Sequence, residues 1–364
     1  MRILIVSPFP REAARGNSVA ALRLARGFAV RGHDVTIVDA VGGSAADPGR
    51  VAEALGATGT ADVALILHAA HGAEAARMLQ DRGTPYAVSV RGTDANEMLA
   101  DPRRGPAVRA TLAGAGRIAV FHSAMHQQLA EHVPELDGRV RVVPNGISLP
   151  ASQVDYRAQL GLPPDAIVFV SLAGLREIKR PLFPVVYLAP LALEFPQLRF
   201  VRAGPALETP LADALRALAA AHAWVHDARE VPHDTVDSFL RMGDVFVSAS
   251  RSEGMPHAVR EAMLSGRALL LSDIPGHRAM AAPEREALFF ADAATFQAAA
   301  RRLLADAALR RQLGTAARAR AEAELAAHDE ITEYLALLTE CRSSWHRSRN
   351  NCPMSGERYG ASRR

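Results

Sequence analysis

The chain has 364 residues, 49% of them apolar and 22% charged, enough for two domains with real cores and too apolar for a disordered chain. Its net charge of +3 misleads, because residues 341–364 hold six Arg and one Glu; the remaining body carries −2, which excludes a basic nucleic-acid-binding body. No apolar run reaches the ~18 residues of an integral membrane segment, Met1 to Val6 is too short for a signal-peptide core, and two cysteines, Cys341 and Cys352, exclude a disulfide framework for the body, so a cytoplasmic location is expected.

In chain order, Ile3 to Val6 reads as a first strand. Ser18 to Arg31 has helical periodicity through Val19, Leu22, Leu24, Phe28 and Val30, and Gly32 stops it. Val35–Val38, Val63–Leu67, Tyr86–Val90, Ile118–Phe121 and Val140–Val143 follow as strands, with Ala-rich helical stretches between several of them. Such alternation predicts a parallel sheet covered on both faces. Pro144-Asn145-Gly146 closes this half, giving a first domain over residues 1–147 and a Pro-rich linker over 148–165. The alternation restarts at Ile167–Leu172 and continues through Leu198–Arg202, Ala223–His226, Val245–Val247, Ala268–Leu271 and Leu288–Phe290, a second domain over 166–327. A long Ala- and Arg-rich helix is expected from about Ala294 to Ala326, broken at Gly314. A final helix follows at 329–340, and residues 342–364, rich in Ser, Arg and Asn, read as a disordered basic tail. Both halves look Rossmann-like, yet no Gly-rich dinucleotide fingerprint follows the first strand and no phosphate-binding P-loop occurs, which argues against NAD and P-loop enzymes.

The stretch Asp244 to Gly276 carries the most chemistry. Its short apolar strand is followed by the loop Glu253-Gly254, then by Pro256 at a first helical position and a helix that Gly266 stops. A helix N-terminus thus opens at the carboxyl end of a parallel strand, where ligands of such sheets bind and where N–H groups favour phosphate. Glu253 and Glu261 flank that place. Carboxylates beside an anion site are suited to accepting hydrogen bonds from sugar hydroxyls; the plainer reading is a capped helix with solvent-facing carboxylates. Independently, Lys179 is the only lysine among 42 basic residues, and it sits in Gly174-Leu175-Arg176-Glu177-Ile178-Lys179 after the strand Ile167–Leu172.

Glu253, seven residues and Glu261 resemble the paired-glutamate motif of group 1, family 4-like, retaining glycosyltransferases of the GT-B fold. The resemblance implies an α/β architecture of two Rossmann-like domains facing across a cleft. It implies that Glu261 holds the nucleotide ribose and that Glu253 contacts the donor sugar. Gly254, Met255 and Pro256 would approach sugar and phosphate, and Arg176 and Lys179 would grip the diphosphate. On the first-domain side, Gly16 and Asn17 stand where the family has a Gly-rich loop. Arg91-Gly92-Thr93-Asp94 is similar to the family's His-Gly-x-Asp segment, with Arg91 in the His position and Asp94 as a further substrate contact. With Asn96 and Glu97, these runs look like the glycosyltransferase-one-domain-containing branch, and the first half also resembles selenosugar synthases.

The implied reaction moves a sugar from a nucleotide-diphosphate sugar, a UDP-sugar foremost, to a small-molecule or glycan acceptor, with retention and with neither metal nor cofactor. The implied final helix, 328–341, crosses back to the first domain. Two guanidiniums, Arg15 and Arg91, would select an anionic acceptor. His68, His71, His122 and His126 lack acidic partners at metal-ligand spacing and read as loop or core residues, with His122 a cleft candidate. The alternatives are a nucleotide-sugar epimerase or hydrolase on the same fold, a selenosugar-synthase-like transferase, and a silent nucleotide-sugar-binding protein.

Overall fold

A computed structural model describes residues 1–10, 16–39, 48–57, 59–147 and 149–350. In the first half, β1 (Arg2–Ser7), β2 (Asp34–Asp39), β3 (Val63–Leu67), β4 (Tyr86–Ser89), β5 (Arg117–Val120) and β6 (Val140–Val142) form one six-stranded sheet, in the order β2-β1-β3-β4-β5-β6. In the second, β7 (Ile167–Leu172), β8 (Leu198–Ala203), β9 (Val225–Asp227), β10 (Val245–Ser248), β11 (Ala268–Ser272) and β12 (Ala287–Phe290) form another, in the order β12-β11-β10-β7-β8-β9. Every pairing in both sheets is parallel. β3 and β11 are buried along their whole length, as continuous apolar strands must be when helices cover both faces. The alternation in the sequence is therefore the alternation of an α/β protein with two such sheets.

Strand order fixes where ligands bind. Neighbouring strands whose connections leave in opposite directions open a crevice at their carboxyl ends. In the second sheet that point lies between β7 and β10, and in the first between β1 and β3. The loops after β7 and β10 carry Lys179 and Glu253.

Two expectations need correction. The long Ala-rich helix breaks at Asp306 and not at Gly314, giving helices Ala293–Ala305 and Ala307–Ala327. Asp306 leaves helical geometry, and its carboxylate accepts the Leu309 N–H at 2.9 Å, an N-cap that restarts the chain as a new helix. Gly314 lies inside the second helix, where an added Cβ would come within 2.2 Å of the Gly266 carbonyl oxygen. Its role is close packing against a turn.

The second correction concerns the C-terminus. The last helix runs Glu330–Asn350, so residues 342–350 are helical and not a disordered tail. Tyr334, Leu337, Leu338 and Cys341 are buried among Ile3, Ile5, Val63 and Leu65 of the first sheet. The Tyr334 hydroxyl shares a hydrogen bond with Ser89 Oγ at 2.7 Å. A helix nucleated by that docking extends cheaply into polar sequence, because each added residue gains a backbone bond without a new nucleus. Residues 351–364, including Cys352, lie outside the described residues. Among the described residues no helix is long and apolar enough to cross a membrane.

Candidate active site

The β7 and β10 loops are clasped together. The Arg251 N–H donates to the Ile178 carbonyl at 2.9 Å, and Arg180 Nε donates to the Ala249 carbonyl at 2.6 Å, with the Arg180 guanidinium 4.5 Å from the Phe183 ring centroid. Arg180 ends the turn Glu177–Lys179 in left-handed geometry, φ +47°. The clasp sets Lys179 Nζ 2.5 Å from Glu253 Oε1. Ser250 Oγ donates to the same oxygen at 2.7 Å. Burial would raise the Glu253 pKa, but the Lys179 ammonium, His277 and the two hydrogen bonds outweigh it and hold the carboxyl below its usual range. Beneath lies His277, fully buried, with ring nitrogens 3.2 Å from Ser248 Oγ and 2.8 Å from the Ser272 carbonyl. Arg176 is exposed at the rim.

The next helix spans His257–Leu264, with Pro256 as its N-cap residue, one position earlier than the sequence reading placed it. Gly266, at φ +67°, stops it. Glu261 lies one turn inside this helix, 6% exposed, with His233 Nε2 3.8 Å from its Oε1. Burial pushes its carboxyl up to about 7.

Opposite this wall stand Phe9, Gly16, Asn17, His68, His71, Arg91, Thr93, Glu97 and Phe121 of the first half. Between the walls lies a cavity of about 730 Å³, also lined by Arg176, Lys179, Glu253, Gly254, Met255, Pro256 and His257. Arg91 Nε donates to Asn17 Oδ1 at 3.0 Å, and its guanidinium lies 4.6 Å from the Phe121 ring centroid. Of the eleven site residues picked from the sequence, the cavity thus gathers Gly16, Asn17, Arg91, Arg176, Lys179, Glu253, Gly254, Met255 and Pro256. Asp94 and Glu261 do not line it. Asp94 is fully buried, and its carboxylate accepts the N–H groups of Ala69, Arg91 and Gly92, each at 2.9 Å. That leaves it shaping the loop, in place of the expected substrate contact. Arg15 lies outside the described residues.

The walls touch. Gly92, at φ +121°, faces Gly254 so closely that a Cβ on Gly92 would lie 2.6 Å from the Gly254 nitrogen. A Cβ on Gly254 would lie 2.5 Å from the Arg91 carbonyl oxygen. Asn96 Nδ2 donates to the Glu253 carbonyl at 3.1 Å, and His122 Nε2 lies 3.0 Å from the Gly254 carbonyl. Asn145 Nδ2 lies 2.6 Å from His257 Nε2, and Asn145 also bonds Arg23 and Arg260. Asn145 and His257 were not singled out from the sequence, where their only signal was proximity to a strand end or a motif; Asn96 entered there only as part of the Gly92–Glu97 run, not as a contact across the cleft.

Comparison with known proteins agrees with this geometry. Residues 152–320 match the family model described as glycosyl transferases group 1. The chain is 25% identical over 320 residues to glycosyltransferase 1 domain-containing protein 1 of Xenopus tropicalis, covering 86% of this chain and 90% of the relative. Its fold is similar to sucrose-phosphate synthase of Thermosynechococcus elongatus (TM-score 0.78, 18% identity, 96% and 99% of the two chains). It is also similar to Anabaena HepE in complex with UDP-glucose (TM-score 0.75, 14% identity, 96% and 99% of the two chains). Residues 152–320 thus resemble a group 1 glycosyltransferase domain, set in a chain whose two-domain α/β fold is that of GT-B glycosyltransferases.

Proposed function

We propose that this protein transfers a sugar from a UDP-sugar to a small acceptor with retention of anomeric configuration and without a metal ion. The observation that carries the reading is the contact between Lys179 and Glu253, held at 2.5 Å where the β7 and β10 loops open into the cleft. A nucleoside diphosphate gains negative charge as the glycosidic bond breaks. Lys179, Arg176 and the N–H groups ahead of helix His257–Leu264 supply the fixed positive potential that such a leaving group requires. Glu253 holds Lys179 until the donor arrives, then accepts hydrogen bonds from the donor sugar. Glu261 accepts the ribose hydroxyls, and ribose binding relieves the cost of its burial. Attack from the leaving-group face, with the departing phosphate oxygen taking the acceptor's proton, needs no carboxylate nucleophile opposite.

For the acceptor, Arg91 supports an anion. Its guanidinium lines the cavity and bonds Asn17 and Ser89, neutral partners both, and among the described residues it is paired with no carboxylate. Phosphate or carboxylate on the acceptor would complete its hydrogen bonding.

Calorimetry with UDP, followed by NMR assignment of the product anomer formed from UDP-glucose in the presence of a chelator, tests the donor reading. No UDP binding, an inverted product or a strict metal requirement would each remove part of it. An acceptor screen of glucose 6-phosphate against glucose, repeated on Arg91→Gln, tests the anion. Equal use of both by the wild type, unchanged in the variant, rules it out.

A further inference from the structure

We infer that Asn96 and His122 are positioning residues. From the first domain they set the backbone of Glu253-Gly254-Met255 so that two N–H groups, those of Gly254 and Met255, face the donor diphosphate. The inference rests on the donor-site reading above.

The peptide group carries the argument. None of the described peptide bonds is cis, and in a planar trans peptide the carbonyl and the N–H point in opposite directions. Asn96 Nδ2 takes the Glu253 carbonyl at 3.1 Å, and that carbonyl shares its peptide with the Gly254 N–H. His122 takes the Gly254 carbonyl at 3.0 Å, and that carbonyl shares its peptide with the Met255 N–H. Both carbonyls are therefore drawn to the first-domain wall, and both N–H groups are turned away from it. Neither N–H donates to any group among the described residues, although Gly254 is buried and both residues line the cavity. A buried N–H is almost always satisfied, so the open Gly254 N–H, with that of half-buried Met255 beside it on the cavity wall, calls for a ligand oxygen.

His122 is built for this task. Its Nδ1 accepts the Met125 N–H at 3.2 Å as the cap of helix Ser123–His132, which leaves the ring proton on Nε2, where it donates to Gly254. Asn96 sits on a π-helical turn, Asp94–Met98, and Asn96 also reaches Ser252 Oγ at 3.3 Å. The backbone approach at Gly92 and Gly254 brings these donors within range, and a side chain at either position would hold them off.

The test uses UDP-glucose with water as acceptor. Asn96→Asp is isosteric and loses the donor. His122→Asn keeps the helix cap but is too short to reach Gly254. Each variant should keep its melting temperature and lose at least fivefold in kcat for UDP-glucose hydrolysis, with KM within threefold, because contacts to the leaving group strengthen as its charge develops. A smaller loss in kcat, or a loss confined to KM, overturns the inference. A second measurement does not depend on the variants: UDP should slow hydrogen exchange of the Gly254 and Met255 amides in the wild-type protein. Unchanged exchange overturns it too. A wild type that binds UDP, with variants that match it, sinks this inference alone; a wild type that binds no UDP sinks the donor reading beneath it.

Discussion

On the second-domain wall, the chemistry comes from two short loops after adjacent strands. Lys179 and Glu253 are tied to each other, to Ser250 and to the buried His277 through side chains of one domain. The first-domain wall is assembled otherwise. Asn17, His68, Arg91, Asn96 and His122 come from the connections after four different strands, and Asn96 and His122 bond across the cleft. The side chains of one wall are placed by contacts within their own domain; the other wall, and the backbone it turns at Glu253-Gly254, become a site only when the domains meet. The difference teaches where each kind of mutation should act. Changes on the second wall should disable chemistry or donor binding outright. Changes on the first should disable the assembly of an otherwise intact donor site.

The largest effect should follow Lys179→Ala. It removes a fixed charge that matters most in the transition state, so kcat should fall by about 10²–10³ with a smaller change in donor affinity. A rate within threefold of wild type would make Lys179 a mere partner of Glu253 and blur the contrast between the walls.

Next comes Gly92→Ala, on the first wall. Its positive φ and the 2.6 Å approach to the Gly254 backbone leave no room for a methyl group. Turnover should fall at least tenfold while UDP affinity, carried by the opposite wall, stays within threefold. Equal losses in both, measured by calorimetry and steady-state rates, would show that the first wall also builds the donor site.

Glu261 gives a smaller and opposed pair of effects. Glu261→Gln should weaken UDP binding by ~1.5–3 kcal/mol, the usual worth of a charged hydrogen bond. It should also stabilise the free protein at high pH. Burial raises the folded pKa to about 7 from an ordinary 4.5, so the folded state holds that proton more tightly than the unfolded chain. The associated stability is present below about pH 4.5 and is lost as the pH rises towards 7. At pH 8 the wild type should lie about 3 kcal/mol below the variant, and near pH 4 the two should coincide. Melting curves of the free protein at both pH values check this; parallel curves would remove the burial argument.

The smallest effect concerns the C-terminal helix. Truncation after Cys341 keeps the buried Tyr334, Leu337, Leu338 and Cys341 and removes half-buried residues 342–345. The melting temperature should drop by about 2–4 °C for each kcal/mol lost, with UDP affinity unchanged. Loss of donor affinity would mean that the helix end bears on the cleft.

All twelve strands were legible in the sequence. Buried parallel strands are short apolar runs bounded by turn residues, and β3 and β11 show that pattern without a polar interruption. The loops of the second wall were legible as well, because Lys179 and Glu253–Pro256 each lie within one local strand-loop-helix unit whose geometry follows from its own residues; Glu261, farther along the same helix, does not line the cavity. The helix ends were less so. Asp306 outcompeted Gly314 as a break because a capping carboxylate rewards a turn, whereas a glycine packed against Gly266 gains more by remaining helical.

What the sequence could not decide lay between distant segments. Asp94 reads equally well as a ligand contact or a loop clasp, and only the Ala69 N–H, twenty-five residues away, commits its carboxylate to the clasp. Asn145 and His257 carry no local pattern, and the motif run around Asn96 and the strand end at His122 do not reveal the partners, which sit more than a hundred residues away along the chain. By itself the sequence determined two parallel α/β sheets and the loops of one cavity wall, because periodicity, caps and turn residues act over a few residues. The facing of the walls, and the backbone turned by Asn96 and His122, were decided by tertiary structure, because a hydrogen bond across a cleft depends on where two separately folded domains come to rest.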